Sequence, residues 1–240
     1  MALDEALMAR ARRTGESVLR VYGWSAPTLS LGRNQRAVGL YLDDELERRG
    51  IGVVRRPTGG RALLHHREVT YCVTAPCAGD ESLLAAYADI NALLVSALTT
   101  LGAPVSSAAP AGRSAAPNGM PCFAEPARGE LIVRGRKLVG SAQWRDREAL
   151  LQHGSILVDD DQSSIPSLMR VPTNDPPLPA TLRDALGRAP VMREVADALF
   201  AAVRARIDPH ASILDPDDEL RRDAARIAAH YRDDAWTWRR

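Results

Sequence analysis

The sequence predicts an α+β fold of mixed or antiparallel sheets with flanking helices. Three observations carry that expectation. Apolar residues recur at helix spacing in a few separated stretches, and short β-branched and aromatic runs lie between them. These runs follow one another without the regular strand–helix–strand alternation that a parallel sheet requires. With 240 residues, 45% hydrophobic and 25% charged, the chain is long enough to bury a sizeable core.

Ala2 to Arg13 reads as a helix with Leu3, Ala6, Leu7 and Arg10 on one repeating face. Pro27 to Leu31 reads as a strand running into a turn at Gly32, Arg33, Asn34 and Gln35. Asp43 and Asp44 suit the first turn of a helix through Arg49, because negative charge favours a helix N-terminus, and Gly50 stops it. Ile51 to Arg56 is a strand broken by Pro57-Thr58-Gly59-Gly60, where the glycines permit tight turns and close approach by a ligand. Arg61 to His65 and Val69 to Thr74 follow as short strands. Ser82 to Leu101 is the longest helical pattern, a core helix stopped by Gly102.

Ala103 to Met120 is dominated by Ala, Pro, Ser and Gly and reads as a mobile surface loop. Glu130 to Val133 and Lys137 to Gln143 flank Arg134-Gly135-Arg136, a hairpin turned on a glycine with positive φ. Leu151 to Val158 is another strand, and Asp159 to Pro190 is Pro-rich and expected to be irregular. Helices near Arg193 to Ile207 and Asp217 to Tyr231 close the chain. The expected organisation is one main domain over 1–190 and a small C-terminal helical segment over 191–240.

The net charge of +1 gives bulk electrostatics no hold on nucleic acid. Two local basic groups, Arg55, Arg56, Arg61 and Arg67, then Arg134, Arg136, Lys137, Arg145 and Arg147, are suited to an acidic protein partner. The three cysteines, Cys72, Cys77 and Cys122, cannot all pair with one another, which points to a reducing cytoplasm. The acidic, amphipathic N-terminus is unlike a signal peptide, and no apolar run approaches the length of a membrane span.

Lys137 is the only lysine, against 30 arginines. Lysine is a compact ammonium whose pKa moves with burial, whereas arginine is planar and always charged, so a chain this biased keeps a lysine where arginine would not serve. Cys122 stands fifteen residues before it. Cys72, inside a strand, reads as a buried small apolar residue, and Cys77 as incidental. His65 and His66 lack further ligands at metal spacing; His65 and His153 read as pocket-shaping groups or as core hydrogen-bonders. Arg55 and Arg56 suit structural ion pairs and partner binding equally.

Arg55-Arg56-Pro57-Thr58-Gly59-Gly60-Arg61-Ala62-Leu63-Leu64-His65 resembles the signature of the biotin/lipoate protein ligase family. Gly135 to Gln143, then Leu151-Gln152-His153-Gly154-Ser155-Ile156-Leu157, resembles that family's second block, in which the lysine is the functional residue. Met1 to Leu7 is similar to its opening helix, so the likeness reaches from residue 1 to about Val158 in the family's order. It implies a class II synthetase-like catalytic domain. This chain departs from the pattern at His66, where the family commonly has Asp, and it begins at the opening helix, so the family's usual leading strand is either absent or not included in the sequence.

Within the family, ATP-dependent ligases usually carry a third glycine after the pair matched by Gly59 and Gly60, and they lack a nucleophilic cysteine. Arg61 holds the third position here, and Cys122-Phe123 stands where the octanoyltransferase branch has its acyl-accepting cysteine ahead of the lysine hairpin. The resemblance then implies that Cys122 takes octanoyl from an acyl carrier protein and passes it to a lysine of a lipoyl domain or glycine-cleavage H protein. No cofactor is needed in that reading. A nearby ammonium, Lys137, favours the thiolate, and the backbone of Gly140, Ser141 and Ala142 is placed to stabilise an oxyanion. Arg56, Gly59, Gly60, His65 and Gly154 are the remaining substrate-binding candidates. Two alternatives stay open: a lipoate or biotin ligase using ATP and Mg, and a relative that only binds a carrier domain.

Overall fold

A computed structural model describes residues 1–77, 82–109, 122–123, 129–146, 148–171 and 176–239. Its strands are β1 (Val18–Tyr22), β2 (Thr28–Leu31), β3 (Gly52–Arg55), β4 (Leu63–His65), β5 (Glu68–Pro76), β6 (Ser106–Ser107), β7 (Leu131–Val133), β8 (Arg136–Arg145) and β9 (Ala149–Leu157). The helices are α1 (Ala2–Thr14), α2 (Asp43–Arg48), α3 (Leu83–Thr100), α4 (Leu182–Leu186), α5 (Met192–Arg206), α6 (Asp218–Tyr231) and α7 (Asp234–Thr237), with a 3-10 turn at Gln162–Leu168.

Six strands form one sheet in the order β1-β5-β9-β8-β7-β6, with every neighbouring pair antiparallel. The other three form a small mixed sheet, β3-β2-β4, in which β2 runs parallel to β3 and antiparallel to β4. The α+β expectation with mixed and antiparallel sheets is met. The larger sheet buries Val69, Leu131, Val139, Leu150 and Ile156 in one core cluster with Leu93, Leu94, Ala97 and Leu98 of α3, and α5 packs on α3 from outside. A second cluster, with Leu29, Leu31, Leu46 and Leu64, lies under the small sheet. α1 packs on β5, β9 and α6, and α7 on β3. These contacts fix the position of β4, β8 and β9, which carry most of the candidate residues.

Local chemistry explains the long elements. α3 starts at Ser82, whose hydroxyl accepts from the Ala85 N–H at 3.4 Å. Its 18 residues are apolar enough by length and composition to cross a membrane, contrary to the expectation from the sequence, yet Leu93, Leu94, Ala97 and Leu98 belong to the core. The β7–β8 hairpin turns on Arg134 (φ 51°) and Gly135 (φ 77°), so the tight turn needs two left-handed residues rather than the single glycine expected.

Other expectations change. β1 was not foreseen, because Arg20 at its centre and five half-buried positions hide any alternation. The stretch from Asp159 to Pro190 is not irregular throughout: it holds the 3-10 turn and α4, the latter capped by Thr181 accepting from the Asp184 N–H at 3.1 Å. Ser106–Ser107 pairs with β7 inside the expected loop, whose residues 110–120, like Arg147 of the second basic group, lie outside the described residues.

Candidate active site

Lys137 is the second residue of β8 and follows the tight hairpin turn, which carries it inward to 3% exposure. Its Nζ donates to the Cys122 carbonyl at 2.8 Å and to Glu130 Oε1 at 2.6 Å, and stands 3.6 Å from Cys122 Sγ. The thiol and the amine therefore meet. Glu130 stands directly before β7, and a register shift between Leu131 and Ile132 sets Ile132 opposite Lys137. Burial by itself disfavours the ammonium, but the negative forms of Cys122 and Glu130 outweigh it and raise Lys137 above its ordinary value.

Phe123 completes the wall, with Nζ of Lys137 5.0 Å from its ring centre. The same ring explains Gly140. A Cβ there would lie 3.1 Å from Phe123 Cζ and 3.3 Å from Lys137 Cε, so the strand has no room for a side chain under the two groups. Ser141 Oγ hydrogen-bonds Tyr71 OH at 2.7 Å, and Ala142 pairs with His153 of β9. β7 covers β8 only as far as Val139, so Gly140, Ser141 and Ala142 have a strand on one edge and, among the described residues, none on the other. Gly154 faces Ser141, and a Cβ there would come within 2.5 Å of the Gly140 carbonyl oxygen and 2.6 Å of the Tyr71 ring.

The Pro57–Gly60 turn reaches this pocket through its neighbours, since the Cys122 N–H donates to the Ala62 carbonyl at 3.0 Å. Arg56, 5% exposed, holds the turn: its guanidinium donates to the carbonyls of Gly59 (2.9 Å), Arg61 (2.7 Å) and Ser30 (3.0 Å). Arg55 is fully buried and donates to the carbonyls of Gly32, Gln35 and Thr237 at 2.6, 2.7 and 2.9 Å. Among the described residues neither forms an ion pair, and both guanidinium groups are buried, which corrects both readings made from the sequence. Burial lowers the pKa of each. The close backbone approach expected at Gly59 and Gly60 involves Gly32 as well, where a Cβ would sit 1.9 Å from the Gly60 carbonyl oxygen. Gly60 itself has φ +96°, a conformation that L side chains rarely adopt.

One histidine, His153, holds the turn itself, and another, His65, holds Ser30, a partner of Arg56. His65 Nε2 lies 2.8 Å from Ser30 Oγ, its Nδ1 3.3 Å from Glu68 Oε1, and the Trp24 ring stacks on it at 4.3 Å. His153 Nε2 lies 2.6 Å from Thr58 Oγ1. At 3.7 Å its Nδ1 is too far from Asp4 Oδ2 for a hydrogen bond, but the carboxylate favours a proton on Nδ1, which leaves Nε2 to accept from the Thr58 hydroxyl. Burial lowers the His153 pKa, so the ring is neutral near pH 7. Both histidines thus satisfy core hydrogen bonds next to the pocket.

Cys122, Lys137, Gly140, Ser141, Ala142 and Gly154 come together, and Arg56, Gly59, Gly60 and His65 support the adjoining turn. Cys72 is fully buried, as expected, and burial pushes its thiol well up. The sequence reading missed Glu130, Asp4 and Thr58. Its one available signal was a carboxylate at the start of a strand whose hairpin partner carries the only lysine. Among the described residues no group of three or more His, Cys, Asp or Glu is placed to hold a metal.

The model of the lipoyl protein ligase A/B catalytic domain matches residues 1–204. A curated relative from Kyrpidia tusciae, Octanoyltransferase LipM, is 40% identical over 263 residues, covering 100% of this chain and 94% of that protein. Another of the same name, from Symbiobacterium thermophilum, is 40% identical and covers 86% of this chain and 80% of its own. Among solved structures, a bi-partite lipoate protein ligase described with its E2 lipoyl domain, from Thermoplasma acidophilum, matches with a TM-score of 0.76 and 20% identity over 99% of this chain and 89% of that one. Identity that low speaks for the fold alone.

Proposed function

We propose, for a chain that belongs to the lipoyl protein ligase A/B catalytic-domain family, the activity of an octanoyltransferase that works through a thioester on Cys122. The observation that carries this reading is the 3.6 Å approach of Lys137 Nζ to Cys122 Sγ in a pocket walled by Phe123 and Gly140. The names of the two curated relatives support the acyl group and the type of reaction.

In the first step the Cys122 thiolate attacks the carbonyl carbon of an octanoyl thioester on an acyl carrier protein. A new C–S bond forms, the carrier's C–S bond breaks, and the carrier sulfur leaves with the electron pair and takes a proton from solvent. In the second step the neutral amine of an acceptor lysine attacks the Cys122 thioester. The C–N bond forms, the C–S bond between the acyl carbon and Cys122 breaks, and the Cys122 sulfur keeps the electron pair and takes the proton that the amine nitrogen loses. The acceptor is a lipoyl domain or glycine-cleavage H protein, and the reaction takes place in the cytoplasm, in keeping with the absence of a disulfide among the described residues. Lys137 stabilises the thiolate. The edge at Gly140, Ser141 and Ala142, which no described strand covers, suits the tetrahedral oxyanion, and the Gly59–Gly60 turn, held by Arg56, borders the acyl site with His65 close behind on Ser30.

The test is direct. Protein incubated with octanoyl-carrier protein and no ATP gains, by intact mass, one hydroxylamine-sensitive octanoyl adduct that maps to Cys122 and is lost in Cys122→Ala. Label that needs ATP would instead support an ATP-dependent ligase, and label that survives Cys122→Ala would overturn the covalent step.

A further inference from the structure

We propose that Glu130 is a positioning residue that keeps Lys137 an ammonium throughout the reaction, so that Lys137 acts on the Cys122 sulfur by its charge and is not the base that deprotonates the acceptor amine. This inference rests on the transferase reading for its catalytic meaning, but its physical content is a property of the resting protein.

The geometry accounts for every proton on Nζ. An ammonium has three N–H donors and no acceptor, and Lys137 Nζ faces three acceptors: Glu130 Oε1 at 2.6 Å, the Cys122 carbonyl at 2.8 Å and Cys122 Sγ at 3.6 Å. A neutral amine has two N–H donors and a lone pair; of its three neighbours only a Cys122 thiol could donate to that lone pair, and once Cys122 is a thiolate or is acylated the lone pair would face an oxygen or sulfur lone pair whichever way the amine turned. The side chains involved are withdrawn from water, with Lys137 2% and Glu130 9% exposed, so solvent does little to relieve such a mismatch. Among the described residues, the other titratable groups around the pair include Tyr87 on α3, which acts on both Lys137 and Glu130, and Arg56 beside the turn, whose charge is felt at Cys122. The Phe123 ring adds a face that favours a cation.

The chemical consequence concerns the second step. As the amine nitrogen bonds to the thioester carbon, it must lose a proton, and Lys137 has no vacancy for it. That proton goes to the departing Cys122 sulfur, which ends the cycle as a thiol. The acceptor lysine must reach the site already neutral, having lost its first proton to solvent.

Because Lys137 is the only lysine, protein labelled with 13C-lysine gives a single side-chain titration curve. The expected result is a wild-type Cε midpoint above the ordinary value of 10.5, and a midpoint in Glu130→Gln lower by about one pH unit or more. Glu130→Asp, which keeps the carboxylate, restores much of the shift. In the transfer assay Glu130→Gln gains an alkaline fall in rate at the pH where its lysine titrates, and the wild type keeps its rate to the higher pH of its own midpoint. A purely structural role for Glu130 would lower activity at every pH without moving the lysine midpoint. A wild-type midpoint below pH 9, or equal midpoints in wild type and Glu130→Gln, would overturn the assignment. If Glu130→Gln does not fold, the wild-type midpoint and Glu130→Asp still decide it. The titration needs no octanoyl donor, so a failure of the transferase reading leaves this result standing and readable.

Discussion

Lys137 and Arg56 are both buried cations whose charges act on Cys122, and they are satisfied in different ways. Lys137 is held by a carboxylate 2.6 Å away and faces a thiol, so its charge has a counter-ion and a reacting partner. Arg56 is held by the neutral backbone carbonyls of Gly59 and Arg61, at the turn it supports, and of Ser30 in β2. A guanidinium spreads its donors in a rigid planar fork, which suits it to fixing several carbonyls at once, whereas an ammonium concentrates its charge at one atom. The comparison assigns backbone geometry to the arginine side of the pocket and electrostatics to the lysine side.

The largest effect should come from exchanging the two cation types on the lysine side. Lys137→Arg keeps the charge but puts a planar fork where one nitrogen bridges Glu130 and Cys122. The initial rate of Cys122 acylation is expected to fall about 100-fold or more, corresponding to about 3 kcal/mol in the barrier. Intact-mass kinetics with octanoyl-carrier protein measure it. A rate within about three-fold of wild type would mean that charge alone suffices and that the division between the two sides is wrong.

How far the site could be read from the sequence follows the same division. Cys122, Lys137 and the β7–β8 hairpin were legible because they lie in short stretches whose spacing and residue types are visible, and α3 and β9 because their patterns are long. The role of Arg55 was not: Thr237, whose carbonyl it holds, stands 182 residues away, and nothing local to Arg55 marks it as a strut. His153 and Thr58 are 95 residues apart, and Asp4 meets them only because α1 packs across β5 and β9. Glu130 was hidden for a smaller reason. A register shift at Leu131 decides which β7 residue stands opposite Lys137, and a strand of three residues has no periodicity to reveal it.

The next largest effect tests the arginine side. In Arg56→Lys a single ammonium replaces a fork that reaches three carbonyls, and at least one buried carbonyl loses its donor. We expect about 2–4 kcal/mol of lost stability, read as a lower urea midpoint with an unchanged slope. Unchanged stability with lost acylation would reassign Arg56 from strut to electrostatic partner of Cys122, making the two cations alike.

The smallest effect extends the comparison to a buried anion. Asp4 has no exposed side-chain surface, and burial alone would push its pKa up. The Met1 ammonium at 3.4 Å, His153 and Arg20 outweigh this and hold it well below its ordinary 3.8, and the Tyr22 hydroxyl also donates to it at 2.8 Å. Its pKa is lower in the folded than in the unfolded chain, so the stability it contributes is fully present above the unfolded value and is lost as pH falls toward the folded one. Asp4→Asn should therefore cost about 2 kcal/mol at pH 7, and the gap from wild type should narrow below about pH 4. Urea midpoints of both proteins at pH 7 and pH 3 give the answer. A gap of the same size at both values would show that Asp4 matters for its shape and hydrogen bonds rather than its charge, which would place it with Arg56 and leave Lys137 as the buried ion whose charge sets its role.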